Sequence, residues 1–277
     1  FSDLYHELLG LAETMEFPIE GIHTETGPGV IEAALAVTDA AEAADRAALF
    51  KTFVKVWAQR RQMMATFMAK WSNDYPGQSG HIHLSLDYAD GSGSAFFDAD
   101  QPMCMSAVQR HFVAGQQRYM AELTAMLAQT VNAYSRMVPG FWAPTHATLG
   151  CENRTTALRI IPGSAKSQRV EFRLGSADAN PYIVLAAALG SGLLGIERQL
   201  EPVEVVQGNA YARKHDASLE LPTSLEQAAE ALRGSEAARE LFGDAFVDHY
   251  AGTRVWEALE YRKHVSDWEM QRYFEII

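Results

Sequence analysis

The chain has 277 residues, of which 48% are hydrophobic and 21% are charged. This length and composition are those of a globular protein with one large domain or two modest ones. The formal net charge of −12 argues against a nucleic acid or an anionic membrane as the main partner, because both require a basic surface. A small basic pocket for phosphate is compatible with that charge, so nucleotide substrates stay open.

The cysteine content and the apolar runs indicate a cytoplasmic protein. Cys104 and Cys151 lack the spacing of a metal site and are typical of a reducing compartment. The longest apolar run, residues 182–196, is shorter than the roughly 20 residues of a membrane span, so we expect a buried helix. No signal peptide is evident, and the chain begins with Phe1 instead of methionine. We therefore expect the natural N-terminus to lie upstream.

The first third of the chain predicts a helix, a hairpin, a second helix and a strand. Residues 4–16 have helical character, and residues 22–35 form two extended arms joined by Gly27-Pro28-Gly29. Apolar residues fall on one helical face from Asp39 to about Arg61. Residues 81–86 then alternate between polar and apolar, which indicates a half-buried strand.

The remainder mixes helices with short strands. A turn-rich segment, residues 87–102, precedes one helix with an apolar stripe (Val108, Phe112, Tyr119, Leu123 and Leu127). Residues 132–150 show no clear period and predict a long loop of the kind that often carries function.

Later elements complete an α+β pattern. We expect strands at residues 157–161 and 168–174, a buried helix after Asn180-Pro181, and a helical C-terminal third in which Ser224 and Gln227 have capping-box spacing. Strands and helices are mixed along the chain without the regular βαβ order, which favours an α+β fold.

Three segments bring unusual polar groups to one face. Alternation directs two sets of side chains to one side of their strands: His81, His83 and Ser85 in the first, and Arg169, Glu171 and Arg173 in the second. Glu25 and Glu32 lie on opposite arms of the hairpin, where they can converge. Carboxylates and an imidazole suit Mg²⁺ or Mn²⁺, and arginines suit phosphate. Each pattern alone also fits a structural histidine, a surface salt bridge or a solvated acid.

Longer strings of sequence resemble the glutamine synthetase family, and they occur in the family's order. Residues 77–86 (Gly-Gln-Ser-Gly-His-Ile-His-Leu-Ser-Leu) are similar to the pattern that ends in His-x-His-x-Ser-Leu. Residues 132–140 (Asn-Ala-Tyr-Ser-Arg-Met-Val-Pro-Gly) resemble Asn-Ser-Tyr-x-Arg-x-x-Pro-Gly. Residues 153–160 (Asn-Arg-Thr-Thr-Ala-Leu-Arg-Ile) resemble Asn-Arg-x-x-x-Ile-Arg-Ile.

Three further strings extend the resemblance from about residue 4 to the C-terminus. Residues 166–173 (Lys-Ser-Gln-Arg-Val-Glu-Phe-Arg) resemble Lys-x-x-Arg-Ile-Glu-x-Arg, and residues 179–182 match Ala-Asn-Pro-Tyr. His23-Thr-Glu25 through Glu32 is similar to a His-x-Glu segment closing on a second glutamate. Together the strings are highly specific.

The resemblance implies a catalytic domain in which an antiparallel sheet lines a funnel-shaped site, with helices packed outside. ATP enters at one end and glutamate at the other, with two or three Mg²⁺ or Mn²⁺ ions between them. It implies that the γ-carboxylate of glutamate attacks ATP to give γ-glutamyl phosphate, and that an amine or ammonia then displaces phosphate.

The resemblance also implies residue roles, position by position. The metal ligands would be Glu25 and Glu32 for one ion, and His81 and Glu171 for a second. Glutamate would be held at Gly77, Arg136 and Arg173. The nucleotide side would comprise His83, Ser85, Arg154, Arg159, Lys166 and Arg169. Arg154 and Arg173 would act directly in catalysis by stabilising charge.

One departure from the family bears on the acceptor. Trp142 stands where ammonia-using members carry a glutamate that helps bind ammonium. An indole offers an apolar or cation–π wall instead of a negative charge, so we expect an organic amine as acceptor. The alternatives are a true glutamate–ammonia ligase, a non-catalytic structural or regulatory relative, and, ranked last, a metal-dependent phosphotransferase such as a guanidino kinase.

A second departure concerns what lies upstream of Glu25. The resemblance places residues 1–277 in the family's C-terminal catalytic domain, without its N-terminal β-rich domain or first catalytic strand, since Glu7, Glu13 and Glu16 lie in a helical stretch. We therefore expect a truncated chain that is itself inactive. The full-length protein is expected to form a ring-shaped homo-oligomer without nucleic-acid or membrane partners.

Overall fold

A short helix and a two-stranded hairpin open the fold. The computed structural model describes residues 2–276. Helix α1 (Ser2–Thr14) leads into the antiparallel strands β1 (Ile19–Thr24) and β2 (Ile31–Leu35), in which His23 lies opposite Glu32. The turn between them has positive φ at Gly27 (117°) and Gly29 (76°), a backbone region that glycine enters without a steric penalty. The hairpin predicted around Gly-Pro-Gly is confirmed.

Helix α2 packs through aromatic side chains against Phe17, which lies just before the hairpin. It spans Ala40–Gln59, as the apolar stripe predicted. The Phe17 ring, which is fully buried, lies 6.0 Å from the Phe50 ring and 6.3 Å from the Phe53 ring. Such aromatic contacts bury a large apolar area, so this cluster holds α2 close to the hairpin.

A four-stranded sheet forms the centre of the molecule. Its order is β3 (Ile82–Leu84), β6 (Arg169–Phe172), β5 (Leu158–Ile161) and β4 (Leu149–Cys151). The predicted antiparallel pairing holds for β3, β6 and β5, whereas β4 and β5 run parallel. The link between β4 and β5 folds back because Glu152 has a left-handed backbone (φ 49°) and the Asn153 side chain accepts the Thr155 N–H at 3.0 Å.

Two predictions on the helical side of the sheet are wrong in detail. The single apolar stripe is divided into α3 (Ala107–Tyr119) and α4 (Thr124–Leu127). The predicted loop 132–150 is irregular only over residues 137–148, since it begins with α5 (Val131–Arg136) and ends in β4. Thr130 caps α5 by accepting the Ala133 N–H at 3.2 Å, and the Asn132 amide bonds both backbone groups of Lys70. These contacts stabilise a helix too short to form alone.

The buried helix predicted after Asn180-Pro181 is confirmed as α6 (Pro181–Glu197). The Asn180 side chain caps it, and Pro181 occupies its first position, where a missing N–H has no cost. Up to residue 276, four more α-helices follow: α7 (Leu225–Arg233), α8 (Glu236–Phe242), α9 (Asp244–Tyr261) and α10 (Asp267–Tyr273).

The predicted capping box at the start of α7 is half formed. Ser224 accepts the Gln227 N–H at 3.2 Å, but the Gln227 side chain accepts the Thr223 N–H instead of that of Ser224. A search for membrane-crossing segments in residues 2–276 finds no helix that is both long and apolar enough.

The contact between α3 and α6 gives a first prediction. A Cβ on Gly115 of α3 would lie 2.2 Å from the Ser191 carbonyl oxygen and 2.6 Å from the Gly195 Cα, both on α6. Gly115→Ala therefore forces the helices apart, and we expect a loss of about 1–3 kcal/mol in the free energy of unfolding, measured by urea denaturation.

Gly252→Ala in α9 is the matched control, because a Cβ there has no neighbour within 4 Å. Replacing a helical glycine with alanine at an open position raises the free energy of unfolding by up to about 1 kcal/mol. Equal stabilities for the two variants would contradict the close helix contact.

Candidate active site

The hairpin brings three potential metal ligands together. His23 Nε2 lies 3.0 Å from Glu25 Oε1 and 3.2 Å from Glu32 Oε2. Within residues 2–276 these three residues form the one group of histidine, cysteine or acidic side chains whose ligand atoms all lie within 4.8 Å of one another. The predicted convergence of Glu25 and Glu32 is therefore present. His23 was not predicted as a ligand. The pairing register of the hairpin, which places His23 opposite Glu32, is the signal that could have identified it.

The pKa values of the two hairpin carboxylates shift in opposite directions. Burial raises the pKa of Glu32, and the hydrogen bond with Glu25 and that residue's charge raise it further. Burial would also raise the pKa of Glu25, but hydrogen bonds with Glu32, the Thr26 N–H and His23 outweigh it and lower the pKa. Two adjacent carboxylates without an arginine partner are the arrangement that a divalent cation relieves.

Strand register assembles a second polar group on the sheet. His83 of β3 and Arg159 of β5 both lie directly opposite Glu171 of β6. Directly opposed residues point to the same face, while Val170 and Phe172 of the same strand point into the core and are buried. The alternation predicted from the sequence is confirmed for these strands.

Glu171 is the hub of this polar group. One carboxylate oxygen accepts from Arg173 at 2.6 Å and lies 3.1 Å from His81 Nδ1, and the other accepts from Arg159 at 3.1 Å. Burial would raise the pKa of Glu171, but the hydrogen bond with His81 and the charge of Arg173 hold the pKa far below its usual range. The carboxylate is therefore ionised and fully partnered within the protein.

The hairpin lies close enough to the sheet for their charges to interact. The charge of Glu171 acts on Glu32 and contributes to its raised pKa. His81 Nε2 is buried and has no hydrogen-bond partner within residues 2–276, so this nitrogen is available to a ligand. For Glu171 to bind an ion, a guanidinium has to turn away from it.

The predicted glutamate positions adjoin this group. Arg136 is almost fully buried, donating to Ser79 Oγ at 2.9 Å and to the Leu174 carbonyl oxygen at 2.5 Å. Burial lowers its pKa to about 10. Gly77 is required beside it, because a Cβ there would lie 2.5 Å from Arg136 Cγ.

Several buried donors in this region lack partners within residues 2–276. They are the Nε atoms of Arg136, Arg159 and Arg173. Buried polar groups are nearly always hydrogen-bonded, so unpaired guanidinium nitrogens on one side of a site fit an anionic substrate that completes their bonding.

Among the described residues predicted for the nucleotide side, some are bonded to one another or to Glu171, whereas others are not. His83 Nδ1 accepts from Arg169 Nε at 3.0 Å, which places the proton of a neutral His83 on Nε2. Burial lowers the pKa of His83. Ser85 lies beyond the end of β3 and is exposed, and Arg154 and Lys166 are exposed and make no side-chain hydrogen bond within residues 2–276.

Trp142 projects from the loop of residues 137–148. Its side chain is 52% exposed, and its backbone has a left-handed φ of 60°, which is uncommon for a bulky residue. The loop is anchored next to it, where Lys70 Nζ lies 4.7 Å from the centre of the Phe141 ring.

Comparison with known proteins identifies the family to which this fold and site belong. The family model described as "Glutamine synthetase, catalytic domain" matches residues 1–273. The chain belongs to the glutamine synthetase family.

The relatives include enzymes named for different acceptors. Type-1 glutamine synthetase 2 of Dictyostelium discoideum is 45% identical over 96% of the chain and 52% of its own length. Glutamate–isopropylamine ligase of a Pseudomonas species is 38% identical over 100% of the chain and 60% of its own length. Gamma-glutamylethanolamide synthetase of Streptomyces coelicolor is 40% identical over 93% of the chain and 54% of its own length.

Solved structures agree on the fold. The apo structure of a protein called GmaS superimposes with a TM-score of 0.88 at 30% identity, covering 99% of this chain and 63% of that one. Its complex with ADP gives the same TM-score at 31% identity, covering 64% of that chain. The α+β fold expected from the sequence is confirmed, and the chain spans about half to two thirds of the length of the proteins it matches.

The hairpin ligands give a second prediction. Glu32→Gln removes one of the two carboxylates. Loss of a residue that only orients a metal ligand lowers metal affinity on the order of tenfold or more. Loss of a ligand itself should lower the affinity for Mn²⁺ at least as much. Calorimetric titration with MnCl₂ measures this. Glu20→Gln, at an exposed glutamate on the partner strand β1, is the control and should bind as the wild type does. Equal affinities for the two variants would exclude a hairpin metal site.

Removing the charge of Glu171 gives a third prediction. Glu171→Gln leaves the largely buried guanidinium groups of Arg159 and Arg173 without their shared carboxylate, which should cost about 3–5 kcal/mol in the free energy of unfolding. In the control, Glu152→Gln, Arg159 loses only a partner that is 50% exposed, for an expected cost below about 1 kcal/mol.

A comparison of wild type with Glu171→Gln across pH tests the direction of the shift in the pKa of Glu171. Its folded-state pKa lies below the ordinary value of 4.5, so its contribution to stability is complete above about pH 4.5 and is lost as the pH falls towards the folded-state pKa. The stability difference between wild type and Glu171→Gln should be constant near neutral pH and narrow below pH 4.5. A difference that widens in acid would contradict the ion-pair arrangement.

Proposed function

We propose that the chain is the catalytic part of an ATP-dependent ligase that joins the γ-carboxylate of glutamate to an amine. The observations that support the proposal are an acidic hairpin whose Glu32 is influenced by the charge of Glu171, and arginines with unpaired nitrogens in the region of Glu171. Membership of the glutamine synthetase family and relatives named as glutamate ligases support it.

The hairpin is the better candidate for holding a divalent cation. His23, Glu25 and Glu32 offer one nitrogen and two carboxylates without a competing arginine, which fits Mg²⁺ or Mn²⁺. Such an ion would offset the charge of the ATP phosphates. We assign His81 and Glu171 to a second ion on the resemblance; His81 Nε2 is free to take part, whereas Glu171 must first release a guanidinium.

The arginines would position and neutralise the anionic substrates. We assign Arg136 and Arg173, with Gly77, to glutamate, and the remaining basic and polar positions to ATP: His83, Ser85, Arg154, Arg159, Lys166 and Arg169. The γ-carboxylate then attacks the γ-phosphorus and releases ADP. A carboxylate needs no general base for this step, so positioning and charge stabilisation account for most of the catalysis.

In the second step the amine displaces phosphate. Its nitrogen forms a bond to the carbon of the γ-carboxyl group of glutamate, the bond between that carbon and the phosphate oxygen breaks, and the nitrogen releases a proton to water. We propose an organic amine for this role because Trp142, exposed on its loop, supplies an apolar surface without a negative charge. One relative is named for isopropylamine and another for γ-glutamylethanolamide, and other relatives are named glutamine synthetases.

Acceptor preference gives a fourth prediction. We expect ADP release by the protein expressed from its native gene to depend on glutamate and to be faster with small primary amines than with ammonia. Trp142→Glu should shift kcat/KM towards ammonia by roughly tenfold, because a carboxylate attracts ammonium.

Trp142→Phe is the matched control and should preserve the preference, since it keeps an apolar ring. A wild-type preference for ammonia would overturn the acceptor assignment and leave a glutamate–ammonia ligase. No ADP release with any acceptor would favour a non-catalytic relative.

A further inference from the structure

A cavity lies between the Trp142 loop and a second irregular segment. Its volume is about 110 Å³, and its walls come from the loop of residues 137–148, from Thr155 and from residues 210–215. One ordered water needs roughly 10–15 Å³ measured this way, so the cavity has room for a short chain of heavy atoms. None of the roles assigned above uses this space.

His215 presents an unpaired acceptor there. Its Nε2 lies 2.8 Å from the Ala210 carbonyl oxygen, and a carbonyl only accepts hydrogen bonds, so Nε2 carries the proton. Nδ1 of the neutral ring is then an acceptor. This atom is buried and has no partner within residues 2–276. A buried acceptor without a partner is costly, and a ligand that donates a hydrogen bond would satisfy it.

The charges around the cavity favour a neutral donor over an ammonium group. The described lining residues include no carboxylate, and one of them is Arg213, whose guanidinium lies 3.2 Å from Glu204. The His146 ring lies 5.0 Å from that of His215. Burial and the proximity of His215 lower the pKa of His146, although Glu220 opposes this shift. A hydroxyl group donates without carrying charge, so it fits this environment.

The cavity adjoins the proposed glutamate position. Tyr211 lines it, and the charges of Arg173 and Arg136 act on the phenol of Tyr211, partly offsetting the rise that burial causes in its pKa. Pro139 and Pro144, on either side of Trp142, line the opposite wall. A molecule whose amine lies at the γ-carboxyl carbon of glutamate would then have this space for its other end.

We propose that this cavity binds the far end of the acceptor, and that the acceptor is a short primary amino alcohol whose hydroxyl donates to His215 Nδ1. The proposal rests on the proposed ligase function and names its acceptor class. His215 serves as a specificity-determining residue, so its loss should affect KM for the acceptor more than kcat.

A comparison of three amines tests the proposal. Ethanolamine and propylamine differ by one terminal heavy atom, and ethylenediamine carries a second cation. We expect kcat/KM to be higher for ethanolamine than for propylamine by roughly tenfold, the value of one hydrogen bond, with ethylenediamine the poorest. The protein expressed from its native gene is assayed by ADP release at saturating glutamate and ATP.

Variants of His215 test whether this residue causes the preference for ethanolamine over propylamine. His215→Phe should abolish the advantage of ethanolamine, and His215→Asn should keep part of it, since its amide oxygen lies near the position of Nδ1. His249→Phe, the same substitution at an exposed histidine of α9, should behave as wild type.

Equal use of ethanolamine and propylamine, preference for ethylenediamine, or unchanged selectivity in His215→Phe would overturn the amino alcohol assignment while leaving the ligase in place. Absence of glutamate-dependent ADP release with every amine and with ammonia would instead overturn the ligase and, with it, this assignment.

Discussion

The candidate site depends on the neutralisation of one buried carboxylate. Glu171 lies on an inner strand of the sheet and draws its partners from both sides: Arg159 from β5, His81 from the approach to β3, and Arg173 from two residues further along its own chain. An unpartnered buried charge costs several kcal/mol, so the strands must pair in the register that supplies Arg159 and His81. A slip by one residue would turn these side chains into the core.

The two acidic centres therefore have opposite electrostatic characters. The carboxylate of Glu171 is satisfied by protein cations, whereas among residues 2–276 the ion-pair partner of Glu25 and Glu32 is His23 alone. The resemblance treats the hairpin and the Glu171 group alike as metal sites. The geometry separates them, since a cation relieves repulsion at the hairpin but competes with two guanidinium groups at Glu171.

Sequence reasoning succeeded where the deciding pattern was local. The period of two placed the polar and apolar faces of β3 and β6, because alternation along a strand needs no information from elsewhere in the chain. It failed where distant contacts decide. Helix α5 depends on the bonds between Asn132 and Lys70, and the cavity pairs His146 with His215 from segments well separated in sequence. His23 was overlooked because cross-strand register, more than the string His-Thr-Glu, brings it to Glu32.

In the proposed reaction, the two sides of the acceptor would meet different charges. Arg136 and Arg173 stand at the proposed glutamate position, while the described lining of the neighbouring cavity has one arginine, which is paired with Glu204, and no carboxylate, and Trp142 adds no charge of its own. An acceptor side without negative charge offers no attraction to a protonated amine, so it favours the neutral amine, which is also the form with a free lone pair for attack. Under this proposal, an amine whose tail gains contacts in the cavity has an advantage over ammonia, which has no tail.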